Sequence, residues 1–304
     1  MTESAYVTSF AEVEREIPSS RVRHAILTLL SAAARFRGGF ARLSAIPRVH
    51  FINMHHVFDD EVDSFRKFVA FLASEHKFIT YSEAVERVLQ GRVDAPYVVF
   101  TYDDGFRSCL QAAEVLNEFG AHAIFFVCGT TVGEKDPSRL AFHCREILKM
   151  PPIEHLDWDD VDNLLLQGHE IGSHTMTHPN LANASPSHIQ DELQDSFELF
   201  QQRLGSVAHF AWPYGTFGHF SAVAARVVFE AGYTSCASGV RGCHGGEAFD
   251  DPRRLCVYRE NMVAKWPLAH CLYFLSRSAS RPFCASNLWP SGWEAEILAG
   301  PLRS

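Results

Sequence analysis

The sequence predicts an α/β fold, a parallel sheet or barrel wrapped in helices, from three observations. Short continuous apolar runs recur at 49–54, 97–102, 123–128, 168–172, 208–212 and 233–237. Stretches with helical periodicity lie between them, at 62–74, 81–89, 109–119, 157–167, 186–204 and 221–231. The residues best suited to chemistry, Asp103-Asp104 and His174, come just after apolar runs. Strands buried on both faces read as continuous apolar runs, and their alternation with helices marks parallel βαβ units. Barrels of this kind carry their chemistry at the C-terminal strand ends.

The elements divide the chain into three parts. Residues 1–47 read as an N-terminal helical extension, 48–275 as the main domain, and 276–304 as an irregular tail containing Pro282, Pro290 and Gly292. In the extension, residues 21–43 have helical periodicity, with Arg21, Arg23, Arg35, Arg37 and Arg42 on or near a polar face. Two readings stand for this helix: packing on the main domain, or peripheral contact with an anionic membrane surface.

Composition excludes several classes. The 304 residues are 47% hydrophobic and 21% charged, as in an ordinary globular enzyme, and 24 Phe allow an aromatic-rich core. A net charge of −9 argues against binding nucleic acid, which needs a basic face. No apolar run reaches the roughly 18 residues of a membrane span. Glu12, Glu14 and Glu16 precede any apolar stretch, unlike a secretory signal. The eight cysteines form no CxxC pair, so they read as reduced, mostly buried thiols of a cytoplasmic protein and not as a zinc–cysteine site.

Two motifs carry the chemistry. Thr101-Tyr102-Asp103-Asp104-Gly105-Phe106 ends one apolar run with paired carboxylates, and Ser173-His174-Thr175-Met176-Thr177-His178 supplies two imidazoles four apart. On a helical turn, that spacing aims both rings the same way. One carboxylate and two imidazoles suit a divalent metal, and the second carboxylate is left as a base: the inventory of metal-assisted hydrolysis. Ala211-Trp212-Pro213-Tyr214-Gly215 follows a later run.

In this order the motifs resemble those of the polysaccharide deacetylase family, carbohydrate esterase family 4, with its NodB homology domain. Residues 101–106 resemble its TFDDG motif with Tyr for Phe, 173–178 its SH(S/T)xxH motif, and 211–215 its RxPYG motif with Ala211 in place of Arg. Met54-His55-His56-Val57 resembles an opening YHxV segment, and the likeness covers roughly residues 49–262. It implies a distorted (β/α) barrel of about seven units. It also implies Asp104, His174 and His178 as metal ligands, Asp103 as general base, and the backbone N–H of Tyr214 as an oxyanion donor. Zinc is the default ion for this ligand set, with cobalt or nickel able to serve.

Two departures from the family pattern need substitutes. Arg259, with Arg254 second, is the candidate to replace the missing motif arginine. His270, in Leu268-Ala269-His270, is the candidate general acid, although its spacing differs from the family's Leu-x-x-His segment. His55, His56 and His169 read as structural, with His55 or His56 able to line the cleft. Tyr102, Trp158, Trp212 and Tyr214 are aromatic residues able to stack on a sugar. The implied reaction is removal of an N-acetyl group from an amino sugar, expected to be a cytoplasmic, nucleotide- or lipid-linked precursor of a surface glycan such as O-antigen or capsule. Competing readings are another amide hydrolase on the same scaffold, such as a deformylase or ureide hydrolase, and a non-catalytic sugar-binding protein.

Overall fold

A computed structural model describes residues 6–17, 20–40, 43, 45–281, 286 and 288–299. In chain order the strands are β1 (Arg48–Met54), β2 (Lys77–Phe78), β3 (Pro96–Tyr102), β4 (Ala123–Val127), β5 (Glu170–Ser173), β6 (His209–Ala211), β7 (Ser235–Ala237), β8 (Cys256–Val257) and β9 (Glu260–Asn261). The helices are α1 (Phe10–Glu16), α2 (Arg21–Phe36), α3 (Val62–Glu75), α4 (Tyr81–Leu89), α5 (Cys109–Glu118), α6 (Pro137–Phe142), α7 (Trp158–Leu166), α8 (Pro186–Leu204), α9 (Ala222–Ala231), α10 (Leu268–Ala279) and α11 (Trp293–Leu298).

Every strand pairing in the sheet is parallel. The order is β8-β7-β6-β5-β4-β3-β1-β9, with β2 pairing on β3. Because β8 lies at one end of this order and β9 at the other, only Tyr258 and Arg259 separate the two edges of the curled sheet. Setting β2 aside and counting β8 and β9 as one kinked strand, the main path has seven strands, in line with the barrel of about seven units that the family resemblance implies.

Local signals explain the helix limits. Helix α8 starts at Ser185, whose hydroxyl accepts from the His188 N–H, with Pro186 in the first turn, and ends at Gly205 in the left-handed region. Asp157 and Asp160 form a reciprocal capping box on α7. Phe51, Val98, Val99, Phe125 and Phe126 of the central strands are fully buried, which explains why their sequence is apolar on both faces.

Two expectations are corrected. The helix predicted over 21–43 stops at Phe36, because Gly38 turns left-handed (φ 69°) just beyond the Arg37 cap; Arg42 lies outside the described residues. The tail is not wholly irregular. Residues 293–298 form α11, and Trp293 packs edge-on against Phe217 at 5.6 Å. The seven described cysteines are free and buried.

Candidate active site

The cleft opens at the C-terminal ends of β1, β3, β5 and β6. Its volume is about 180 Å³, and its lining includes Asn53, His55, Asp103, Asp104, Leu148, Met150, His174, His178, Tyr214 and Asn261. Asp103 and Asp104 extend β3, and His174 follows β5. The structure thus brings these residues, named from the sequence, into one cleft.

The imidazole pair does not meet as expected. Residues 174–178 form a loop, not a helical turn, with Thr175 (φ 69°) and His178 (φ 62°) in the left-handed region. The loop is fixed from behind. The buried Glu192 carboxylate accepts from the Met176 and Thr177 N–H groups, each at 2.9 Å, and from the Thr177 hydroxyl. The Thr175 hydroxyl accepts from the His178 N–H at 2.9 Å. Asp104 (φ 69°) and Tyr214 (φ 62°) share the same backbone region, so three of the five non-glycine residues with positive φ among those described line the cleft, and a fourth, Thr175, directly follows His174. Such conformations cost about 1–3 kcal/mol each and persist where surroundings impose them. Gly215 must be glycine, since a Cβ there would lie 2.6 Å from the Gly239 nitrogen.

Asp104, His174 and His178 offer ligand atoms within 4.8 Å of one another. Asp104 Oδ1 is 3.5 Å from His174 Nε2 and 3.3 Å from His178 Nε2. A tetrahedral ion with bonds of about 2.0–2.1 Å has ligand–ligand edges of about 3.3–3.4 Å, so the set fits a divalent metal. His174 Nδ1 lies 2.7 Å from the Ala211 carbonyl, which holds the tautomer that leaves Nε2 free to ligate. Burial alone would raise the Asp104 carboxyl; hydrogen bonds from His174 and His178 hold it well below the usual range. Burial would lower His174, but Asp103 and Asp104 outweigh it and raise that imidazole, whereas burial prevails at His178 and lowers it.

Asp103 has a separate set of partners. Arg259 Nη1 donates to its Oδ1 and Nη2 to its Oδ2, both at 2.8 Å, and Asn53 Nδ2 adds a bond of 3.0 Å. Arg259 is fully buried. Its Nη1 also reaches Asn53 Oδ1 at 3.0 Å and Thr101 Oγ1 at 3.2 Å, while Nε donates to the Ser238 carbonyl at 2.6 Å. Burial would raise the Asp103 carboxyl, but the Arg259 guanidinium and the nearby His174 together outweigh it and keep it below the usual range. A carboxylate held this way accepts protons from a fixed position.

Other candidates fall elsewhere. Arg254 turns outward to Asp250 and Glu294. His270 does not line the cleft; its Nε2 is 3.1 Å from the Thr28 hydroxyl and its ring packs on His24, because α10 seats that face against α2. His56 binds Glu61, and His169 accepts from the Ala123 N–H, while His55 lines the cleft. Tyr102 and Trp212 are core residues, stacked on Phe125 and Phe220, and Trp158 packs on Phe200. Tyr214, 44% exposed, is the aromatic of the four that faces the cleft.

Sequence reasoning missed Asn53, Thr101 and Asn261, short polar residues inside or after apolar strands. It also missed the π-helical turn His143–Leu148, whose end and following residues supply the Leu148 and Met150 wall. A polar side chain in a doubly buried strand is the signal that would have found the first two.

A polysaccharide deacetylase family model matches residues 90–236. A chitooligosaccharide deacetylase of Sinorhizobium fredii (strain NBRC 101917 / NGR234) is 28% identical over 143 residues, 46% of this chain and 55% of that protein. A peptidoglycan-N-acetylglucosamine deacetylase of Bacillus cereus is 25% identical over 138 residues, 45% of this chain and 53% of that protein. The matches thus span about half the length of these relatives. Among solved structures, the deacetylase PplD of Streptococcus pyogenes, in complex with acetate, aligns with a TM-score of 0.60 at 17% identity, covering 75% of this chain and 98% of that one. IcaB from Ammonifex degensii aligns with a TM-score of 0.60 at 19% identity, covering 75% and 97%. These likenesses show the same curled (β/α) fold.

Proposed function

The chain belongs to the polysaccharide deacetylase family, and from that premise we propose that it is a metal-dependent N-deacetylase acting on the acetamido group of an amino sugar. One observation carries the reading. A three-ligand metal set and a separately held buried carboxylate, Asp103 on Arg259, share one cleft.

The division of labour follows from the partners. A divalent ion on Asp104, His174 and His178, zinc by default, supplies Lewis acidity and lowers the pKa of a water. Asp103, gripped through both oxygens and kept ionised, takes the proton of the attacking water. The Tyr214 N–H serves the oxyanion of the tetrahedral intermediate, as in the family it resembles. His55 takes the place first given to His270 and protonates the leaving amine, since it is the imidazole outside the ligand set that the cleft presents. Leu148 and Met150 form an apolar wall for the acetyl methyl, and the exposed Tyr214 ring suits a sugar face.

The substrate class we favour is a nucleotide-linked or lipid-linked precursor of a surface glycan, O-antigen or capsule. We place the protein in the cytoplasm, supported by the free, buried thiols of the seven described cysteines. Fractionation checks this, and a purely periplasmic distribution would overturn it.

The decisive experiment measures metal content of the wild type and of His174→Ala, with acetate release from a panel of N-acetylamino sugars. One ion per chain that vanishes in the variant, with metal-dependent acetate release, supports the reading. Formate or ammonia without acetate assigns the site to another amide, and no metal under replete conditions favours a sugar-binding role.

A further inference from the structure

Helix α2 carries an apolar face that nothing among the described residues covers. Its inner side is seated on α10: Leu27 and Ser31 are buried, Thr28 Oγ1 lies 3.1 Å from His270 Nε2, and the Arg23 guanidinium lies over the Trp266 ring at 5.4 Å. On the other side Val22, Ile26, Leu29, Leu30 and Phe36 are 69, 52, 72, 41 and 92% exposed. At about 100° per residue, these five fall within an arc of about 120°, with Arg21 and Arg23 about 100° to either side of Val22. Apolar residues scattered singly on a surface mean little, but a contiguous patch with a charged rim marks an interaction site.

Charge identifies the occupant. The chain has net charge −9, yet no Asp or Glu occurs between Glu16 and Asp59, where Arg21, Arg23, Arg35, Arg37, Arg42 and Arg48 all lie. A protein partner would be served by the apolar arc alone. An acid-free basic flank in an acidic protein matches a sheet of phosphate headgroups, and repulsion of the remaining surface would turn α2 toward it. No described helix is long and apolar enough to cross a membrane.

We propose that α2 lies in the plane of an anionic lipid surface, its Val22–Phe36 arc inserted below the headgroups and the exposed Arg21 and Arg37 at its two ends on the phosphates. This geometry is that of an interfacial amphipathic helix. It rests on α2 alone and is independent of the reaction in the cleft.

Flotation of the full-length protein with phosphatidylglycerol/phosphatidylcholine vesicles, beside pure phosphatidylcholine vesicles, tests it. The wild type is expected to float with the anionic vesicles, less at high salt, and little with the neutral ones. Leu29→Glu and Phe36→Glu, both at exposed sites and so leaving far-UV circular dichroism and metal content unchanged, are each expected to weaken partitioning about tenfold or more. Failure of the wild type to float, or flotation unchanged by both variants, overturns the proposal. A dimer in analytical ultracentrifugation that Leu29→Glu dissolves, without vesicle binding, also overturns it and gives the face to a second copy.

Discussion

Consider removing the Arg259 guanidinium with Arg259→Met. Asp103 is 4% exposed and would keep a single side-chain donor, Asn53 Nδ2, in place of three. Truncating one partner of a buried ion pair costs about 3–5 kcal/mol, because the other charge is left desolvated. Asp103→Asn strands the cation instead, though Arg259 retains Ser238, Asn53 and Thr101. In the double variant both charges are gone and the penalty is not incurred twice. We expect a coupling energy of about 2–3 kcal/mol, within the range for residues in contact. The assay is urea unfolding of the four proteins in chelator, so that metal binding does not enter. A domain with about 5–15 kcal/mol of stability survives each single change in measurable amount. Additivity within about 0.5 kcal/mol would refute the claim that Arg259 and Asp103 act as one buried unit.

The remaining expectations concern metal, base and acid. Asp104→Ala, His174→Ala and His178→Ala should each lose the bound ion, and chelator should lower the melting temperature of the wild type but not of these variants, since an ion at 100 times its Kd adds about 2.7 kcal/mol. Asp103→Asn should retain the ion while turnover falls about 10²- to 10⁴-fold, and a near-normal rate would remove Asp103 as the base. Acid should destabilise the fold. Burial pushes His50, His155 and His244 down from 6.5 to about 3, and His143, His169 and His209 to about 4. The unfolded chain therefore binds protons first. Stability is full above pH 6.5 and declines as pH falls toward 4, which urea midpoints across that interval will show; a flat profile would contradict the buried, neutral histidines.

The fold was legible because its strands are doubly buried and its helices carry explicit punctuation. Helix α4 spans the predicted residues 81–89, with Thr80 capping it, and α8 spans the predicted 186–204 between Ser185 and Gly205. Less legible was whatever depends on contacts far apart in sequence. The spacing of His174 and His178 predicted that the two rings come together, but for a helical reason, whereas Glu192, on α8, holds them in a left-handed loop. His270 matched a pattern of residue types, but the periodicity of α10 and its contact with α2 turn it away from the cleft.

Arg259 shows why no local pattern could have decided between it and Arg254. Only five residues apart in sequence, they face opposite environments because β8 ends and β9 begins around Tyr258-Arg259, where the two edges of the sheet meet. Arg259 then reaches Asn53 on β1, Thr101 on β3, Asp103 just beyond β3, and Ser238 just beyond β7. The guanidinium that holds Asp103 is thus also a bond between the strands that close the barrel. Ala211 can be small because the cation arrives from the closing segment and not from β6. Closure of the sheet and positioning of Asp103 are one structural event, so a change that loosens the β9–β1 edge should be felt at Asp103 before it is felt at Asp104, His174 and His178, which hang from β3 and β5.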